Sequence, residues 1–125
     1  MNENELSRLV VNTAFHIHTK LGPGLFESVY EEVMYYELRK LGLKVDRQTP
    51  LPVIWEELLM EKGYRADLII EDKVIVELKS VEAIAPVHQK QTLTYLRLSN
   101  LRLGLLINFN VAFIKDGIQR IVNQL

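Results

Sequence analysis

The sequence predicts an α/β chain of the α+β kind: one domain, residues 1–125, with a central mixed β-sheet and helices packed against it. Three observations carry this. Two segments near the start repeat apolar residues at helical spacing. Short runs rich in Val, Ile and Leu follow, separated by turn residues. A third helical pattern then interrupts the strands. The order reads roughly ααββββαβββ, and 125 residues fit a single domain.

The first helix is expected over Glu3–Lys20, where Leu6, Leu9, Val10, Thr13, Ala14, Ile17 and Leu21 recur on one face. Asn2 can cap it with Glu5 as its capping-box partner. Leu21-Gly22-Pro23-Gly24 stops it, since glycine tolerates the left-handed conformation and proline cannot continue a helix. A second helix is expected over about Leu25–Leu41, with Val29, Tyr30, Val33, Leu38 and Leu41 as its apolar surface. Two short strands, Lys44–Gln48 and Leu51–Trp55, are split by Thr49-Pro50. A hairpin of Tyr64–Ile70 and Val74–Ser80 turns at Glu71-Asp72-Lys73. Pro86 suits the first turn of a third helix reaching Ser99. Leu101–Asn108, Val111–Ile114 and, after the Asp116-Gly117 turn, Ile118–Val122 read as the last strands.

The bulk properties narrow the function. The chain is 48% hydrophobic and 25% charged, as soluble globular proteins are. Its apolar runs fall far short of the ~18 residues of a membrane span. The polar start MNENELSR lacks the basic and apolar regions of a signal peptide, which points to the cytoplasm. With no cysteine there is neither a disulfide framework nor a thiolate metal site. A net charge of −1 gives no global attraction to nucleic acid, so such a site has to be local or aided by a metal ion. No phosphate loop or Ser-His-Asp arrangement stands out. His16 and His18 lie two residues apart on the first helix, on different faces, and neither reads as a metal ligand.

The hairpin RADLIIEDKVIVELKS is where chemistry is expected. Its apolar runs argue for burial on both faces, yet Asp67, Glu77 and Lys79 sit at one end. If the turn spans Glu71–Lys73, Ile70 pairs with Val74, and three steps outward Asp67 stands opposite Glu77. Directly opposed residues have Cβ atoms roughly 4.5–5.5 Å apart. Carboxylates that close repel each other unless a cation lies between them, and magnesium, which takes oxygen ligands, fits. Lys79 shares a face with Glu77 and is poised to act on a phosphate or a water. The plain alternative is a surface hairpin with an incidental salt bridge. The apolar runs weaken it, because interior charge is costly unless paired, metal-bound or functional.

Two helical segments add to this. In GLFESVYEE, Glu27 and Tyr30 share a face. In PVHQKQTLTYLRLS, His88, Gln91 and Tyr95 recur along one face. Each also has a bland reading, an exposed Glu beside a core Tyr and a solvated polar stripe. Lys90, Arg97 and Arg102 add local positive charge that solubility explains equally well.

Together these segments resemble the PD-(D/E)XK nuclease superfamily, and in particular its small GxxExxY family. Gly24–Tyr30 reads GxxExxY. Asp67 followed by Glu77-Leu78-Lys79 matches the D…ExK core, with Ala66 rather than Pro before Asp67. Gln91-Thr92-Leu93-Thr94-Tyr95 resembles the QxxxY element of RecB-type members, and the tail Leu101–Phe109 is similar to the family's.

The resemblance implies a restriction-endonuclease-like core and a metal-dependent nuclease, on DNA rather than RNA. It implies Mg2+ (or Mn2+) held by Asp67, Glu77, the Leu78 carbonyl and Glu27. Lys79 would orient the attacking water and stabilise the phosphate, while Gln91 and Tyr95 border the site. A catalytically silent nucleic-acid- or protein-binding module with the same fold is the alternative. A core of this size covers little of a duplex, so a homodimer or an accessory protein partner is also expected.

Overall fold

The computed structural model describes all 125 residues. Helices α1 (Glu3–Leu21) and α2 (Glu27–Lys40) precede strands β1 (Val45–Trp55), β2 (Leu58–Ile70) and β3 (Val74–Lys79). Helix α3 (Pro86–Ser99) leads to β4 (Leu103–Asn108), a short 3-10 helix (Ile114–Gly117) and β5 (Ile118–Val122). The five strands form one sheet in chain order, β1 to β5. All neighbours are antiparallel except β3 and β4. That parallel pair requires a crossover, and α3 supplies it as a βαβ unit. The sheet is therefore mixed, as expected, with helices on both faces.

The main core lies between the sheet and the first two helices. Leu6, Val10, Ala14 and Ile17 of α1 and Tyr30, Met34 and Leu38 of α2 pack onto Leu68, Ile70, Val76, Leu78, Leu105 and Ile107. On the other face Leu96 of α3 meets Ala66, Ile69 and Ile75. Burial on both faces explains the unbroken apolar runs of β3 and β4. Gly104 belongs to this packing, since a Cβ there would collide with Thr92.

The Asn2–Glu5 capping box forms, with Glu5 N donating to Asn2 Oδ1 at 2.8 Å. Gly22 ends α1 at φ +70°, a conformation glycine accepts without strain. Helix α2 is shorter than expected, and Val29 and Leu41 are exposed rather than packed. The largest revision concerns β1. Lys44–Gln48 and Leu51–Trp55 are one strand, carried through Thr49-Pro50 with Gln48 at a left-handed φ of +49°. Pro50 lies on the outer edge of the sheet, where a missing amide is tolerated.

Strand β2 likewise starts at Leu58, six residues before the expected Tyr64. Val53–Trp55 pair with Leu58–Met60, and the register shifts near Pro52. Gly63 allows the close approach there, because a Cβ would collide with Val53. The proposed strand Val111–Ile114 does not form; that segment is irregular and runs into the 3-10 helix. No helix is long and apolar enough to cross a membrane.

Candidate active site

The hairpin register is the one expected from its turn: Ile70 faces Val74 and Leu68 faces Val76. One step further, Asp67 and Glu77 come together, with Lys79 two residues beyond. Asp67 is half-buried, and both its oxygens are engaged. Oδ2 accepts from the Leu78 amide at 2.8 Å and Oδ1 from Gln48 Nε2 at 3.1 Å. Glu77 is only 7% exposed. Its Oε1 is buried and has no hydrogen-bond partner. Burial, then the charge of Asp67 and a hydrogen bond shared with it, push the Glu77 carboxyl up to about 9, while Lys79 pulls in the other direction.

Helix α2 enters through its first turn, and Tyr30 fixes that entry. Tyr30 is fully buried and stacks on Phe109 with ring centroids 4.3 Å apart. Its hydroxyl donates to the Gly22 carbonyl at 2.6 Å and accepts from the Leu25 amide at 3.2 Å. The Tyr of GxxExxY thus ties down the loop whose glycines, Gly22 and Gly24, both have positive φ. Ser80 is fastened to that loop, Oγ donating to the Leu25 carbonyl at 2.7 Å. Glu27 consequently lies beside the end of β3, where its Oε2 accepts from the Ser80 amide at 3.4 Å. It lines a hollow of ≈420 Å³ with Asp67, Leu78, Glu31, Gln48 and Arg65.

Glu31 is a residue the sequence reading missed. It follows the motif, one turn after Glu27, and that spacing alone was a signal. It is buried and accepts from Arg47 at 2.9 Å and from Gln48 Nε2. The Gln48 amide therefore bridges Glu31 and Asp67. The strand continuity that puts Gln48 level with Asp67 was not visible either, so Gln48 went unnoticed.

The polar stripe of α3 divides. Tyr95 stacks on Tyr64 at 4.5 Å. Its hydroxyl pKa is raised by burial and by the charges of Glu77 and Asp67, which places it within electrostatic reach of the carboxylates. His88 instead accepts the Ala85 amide at the helix start, 3.1 Å away. Gln91 is exposed and has no side-chain hydrogen bond. On the far side of β3, buried Asn108 holds the segment after Lys79, bonding the Val81 amide at 3.1 Å and carbonyl at 2.9 Å. His18 Nε2 bonds the Val111 carbonyl at 2.8 Å.

A hollow of ≈550 Å³ lies elsewhere, over Tyr35, Tyr36, Arg39 and Arg47. Arg47 there is paired with Glu31 and Glu32, and the region has no unpartnered buried group. Glu77 is not in the lining of the smaller hollow; Asp67 and Leu78, its neighbours across and along the hairpin, are.

A family model described as the PD-(D/E)XK nuclease superfamily matches residues 4–121. The chain belongs to this superfamily. The match spans both helices before the hairpin, the D…ExK residues and the strands after α3. No curated protein and no solved structure matches the chain. Superfamily members are generally nucleases that typically use divalent metals, and the acidic oxygens of Asp67 and Glu77 suit such an ion. A cation beside Glu77 Oε1 would satisfy the buried oxygen and relieve the repulsion from Asp67. No three acidic or histidine side chains close into a cage, so Glu27 stands apart from the Asp67–Glu77 pair. Backbone oxygen and water would complete the coordination, as magnesium commonly allows.

Proposed function

We propose that this chain is a metal-dependent nuclease of the GxxExxY family, a single cytoplasmic catalytic domain hydrolysing DNA with Mg2+ or Mn2+. The observation that carries the proposal is the buried, unpartnered Oε1 of Glu77 beside Asp67. Two carboxyl groups pressed together in a buried position destabilise the metal-free chain once both ionise, a cost that a bound cation would remove.

Asp67, Glu77 and the Leu78 carbonyl would hold the ion, with Glu27 contributing directly or through water. When bound, the ion polarises the phosphate and makes water a better nucleophile. Lys79 shares the strand face of Glu77 and donates toward the phosphate oxygens, where negative charge grows in the transition state. Gln48 keeps Asp67 aimed, and Glu31 keeps Gln48 aimed. Tyr95 would wall the site on the α3 side, and Gln91, exposed one turn earlier, would contact substrate.

A second reading has an observation in its favour. Glu27 already bonds the Ser80 amide and no three-ligand cage exists, as suits a silent nucleic-acid- or partner-binding module. Calorimetry with Mg2+ and Mn2+ on wild type and Asp67→Asn/Glu77→Gln, beside cleavage assays on DNA and RNA, separates the two. The nuclease binds metal only with both acids intact and cuts DNA. Equal metal affinity in both proteins, or no metal-dependent cleavage, removes the proposal. Cleavage confined to RNA overturns the choice of DNA.

A further inference from the structure

The first two strands outgrow the sheet. Gln48 lies level with Asp67, and β3 stops at Lys79, so residues 52–63 project beyond the site end as a two-stranded ribbon. Its tip carries Ile54, Trp55, Leu58, Leu59 and Met60, exposed by 68, 69, 59, 54 and 39%. Single exposed apolar residues are ordinary, but a contiguous group on a protruding arm marks an interaction surface. Edge pairing by another strand is disfavoured, because Pro50 and Pro52 remove two β1 amides. Nucleic acid is disfavoured as well, since Glu56, Glu57 and Glu61 outnumber Lys62 on the arm and would face phosphates.

The same chain carries a complementary surface. A hollow of ≈520 Å³ between the end of α1 and the 3-10 helix is lined by Phe15, Pro23, Ala112, Phe113, His18 and Lys115 among others. Phe113 is 66% and Phe15 41% exposed. No carboxylate lines it, and Lys20 follows the lining residue Thr19. The arm is thus apolar and acidic, while the hollow is apolar with Lys115 in its lining and Lys20 and Asp116 exposed at its margin, one positive charge in net. Both lie at one end of the sheet. Lys73 at the opposite end bonds the Met1 carbonyl beside the start of α1, so α1 finishes at the site end, where β4 and the segment after it also emerge.

We propose that two copies of this chain form a closed two-fold dimer in which each ribbon tip, led by Trp55, seats in the other's Phe15–Phe113 hollow. Because arm and hollow flank the carboxylates at the same end, one two-fold axis can satisfy both contacts at once. An isologous pairing of this kind closes instead of growing into a filament. It also doubles the contact, toward the ~800 Å² per partner of a stable interface. The glutamates at the tip approach Lys20 and Lys115, giving the pairing its direction. The two candidate sites then face a shared space.

Trp55 is the only tryptophan in the chain, so its emission reports the tip directly. Sedimentation equilibrium of the full chain should show a concentration-dependent dimer, with the emission shifting to shorter wavelength as it forms. Trp55→Ala should raise the dimer dissociation constant by about 30-fold or more, the effect of losing a central aromatic anchor. Glu56→Lys/Glu57→Lys should abolish dimers, as should Lys20→Glu/Lys115→Glu. The chain carrying all four changes should dimerise again, which a folding defect would not permit. A monomer at every concentration overturns the proposal. So does a dimer indifferent to these variants, or open-ended polymer. Trp55 emission that shifts with nucleic acid in a monomeric chain would assign the arm to substrate and overturn it equally.

Discussion

Replacing Glu77 with Gln keeps its size and removes its charge, and the consequence should depend on pH with a definite sign. The folded carboxyl is raised from 4.5 to about 9 by burial and by Asp67. Below about pH 4.5 the group is protonated in both states and contributes no pH dependence. Between the two values the folded chain retains a proton that the unfolded chain has released, so metal-free stability falls as pH rises. Above the folded value the loss is complete. One proton of difference costs ~1.4 kcal/mol per pH unit. From about pH 6 to about pH 8, metal-free wild type should lose up to roughly 3 kcal/mol relative to Glu77→Gln. Urea melts of both proteins in chelator at several pH values give this difference directly, because titrations common to the two cancel. Saturating Mg2+ should reverse the order, raising wild type through binding to the native state and leaving Glu77→Gln nearly unmoved. A stability difference that stays flat across this range would refute the buried, proton-holding carboxylate.

Two further perturbations test how the site is held. Tyr30→Phe removes the bonds to Gly22 and Leu25 while keeping the ring on Phe109; it should cost ~1–2 kcal/mol in chemical melts. It should also lower cleavage, with metal affinity kept in calorimetry, because Glu27 loses its anchored loop. Gln48→Gly relieves a left-handed backbone by up to about 1 kcal/mol but deletes the amide between Glu31 and Asp67. Thermal stability should hardly change, while activity or metal affinity should fall by about 10-fold or more, as for other residues that orient ligands. Unchanged activity would leave Gln48 a residue of strand β1 with no part in the site.

The sequence was most informative where local chemistry and burial agree. Pro86 at the first turn points to a third helix reaching Ser99, and α3 has those bounds. The Glu71–Lys73 turn fixed the register that joins Asp67 to Glu77. It was least informative along β1 and β2. Thr49-Pro50 reads as a break, and Leu58-Leu59-Met60-Glu61-Lys62-Gly63 lacks the β-branched residues and alternation of a strand. Cross-strand pairing overrides both signals. Val111–Ile114 failed in the opposite direction: a β-like composition was consumed in packing the end of β4 against α1, where Val111 meets His18. His88 reads as part of a polar stripe on the third helix but caps that helix, since a helix start leaves amides that nearby side chains satisfy. Glu31 escaped notice because its significance comes from Gln48 and Arg47, residues distant in sequence.

The most direct measurement is single-turnover cleavage of DNA under saturating Mg2+ or Mn2+ by wild type and Lys79→Ala, with metal affinity measured alongside. Lys79 acts on charge that develops only in the transition state, so its loss should slow cleavage on the order of 10²-fold or more. Metal affinity should persist, and DNA affinity should fall only modestly, since one phosphate contact is a small part of an extended interface. A Lys79→Ala protein that cuts as fast as wild type, or a wild type that does not cut at all, would contradict hydrolysis at the Asp67–Glu77–Lys79 site.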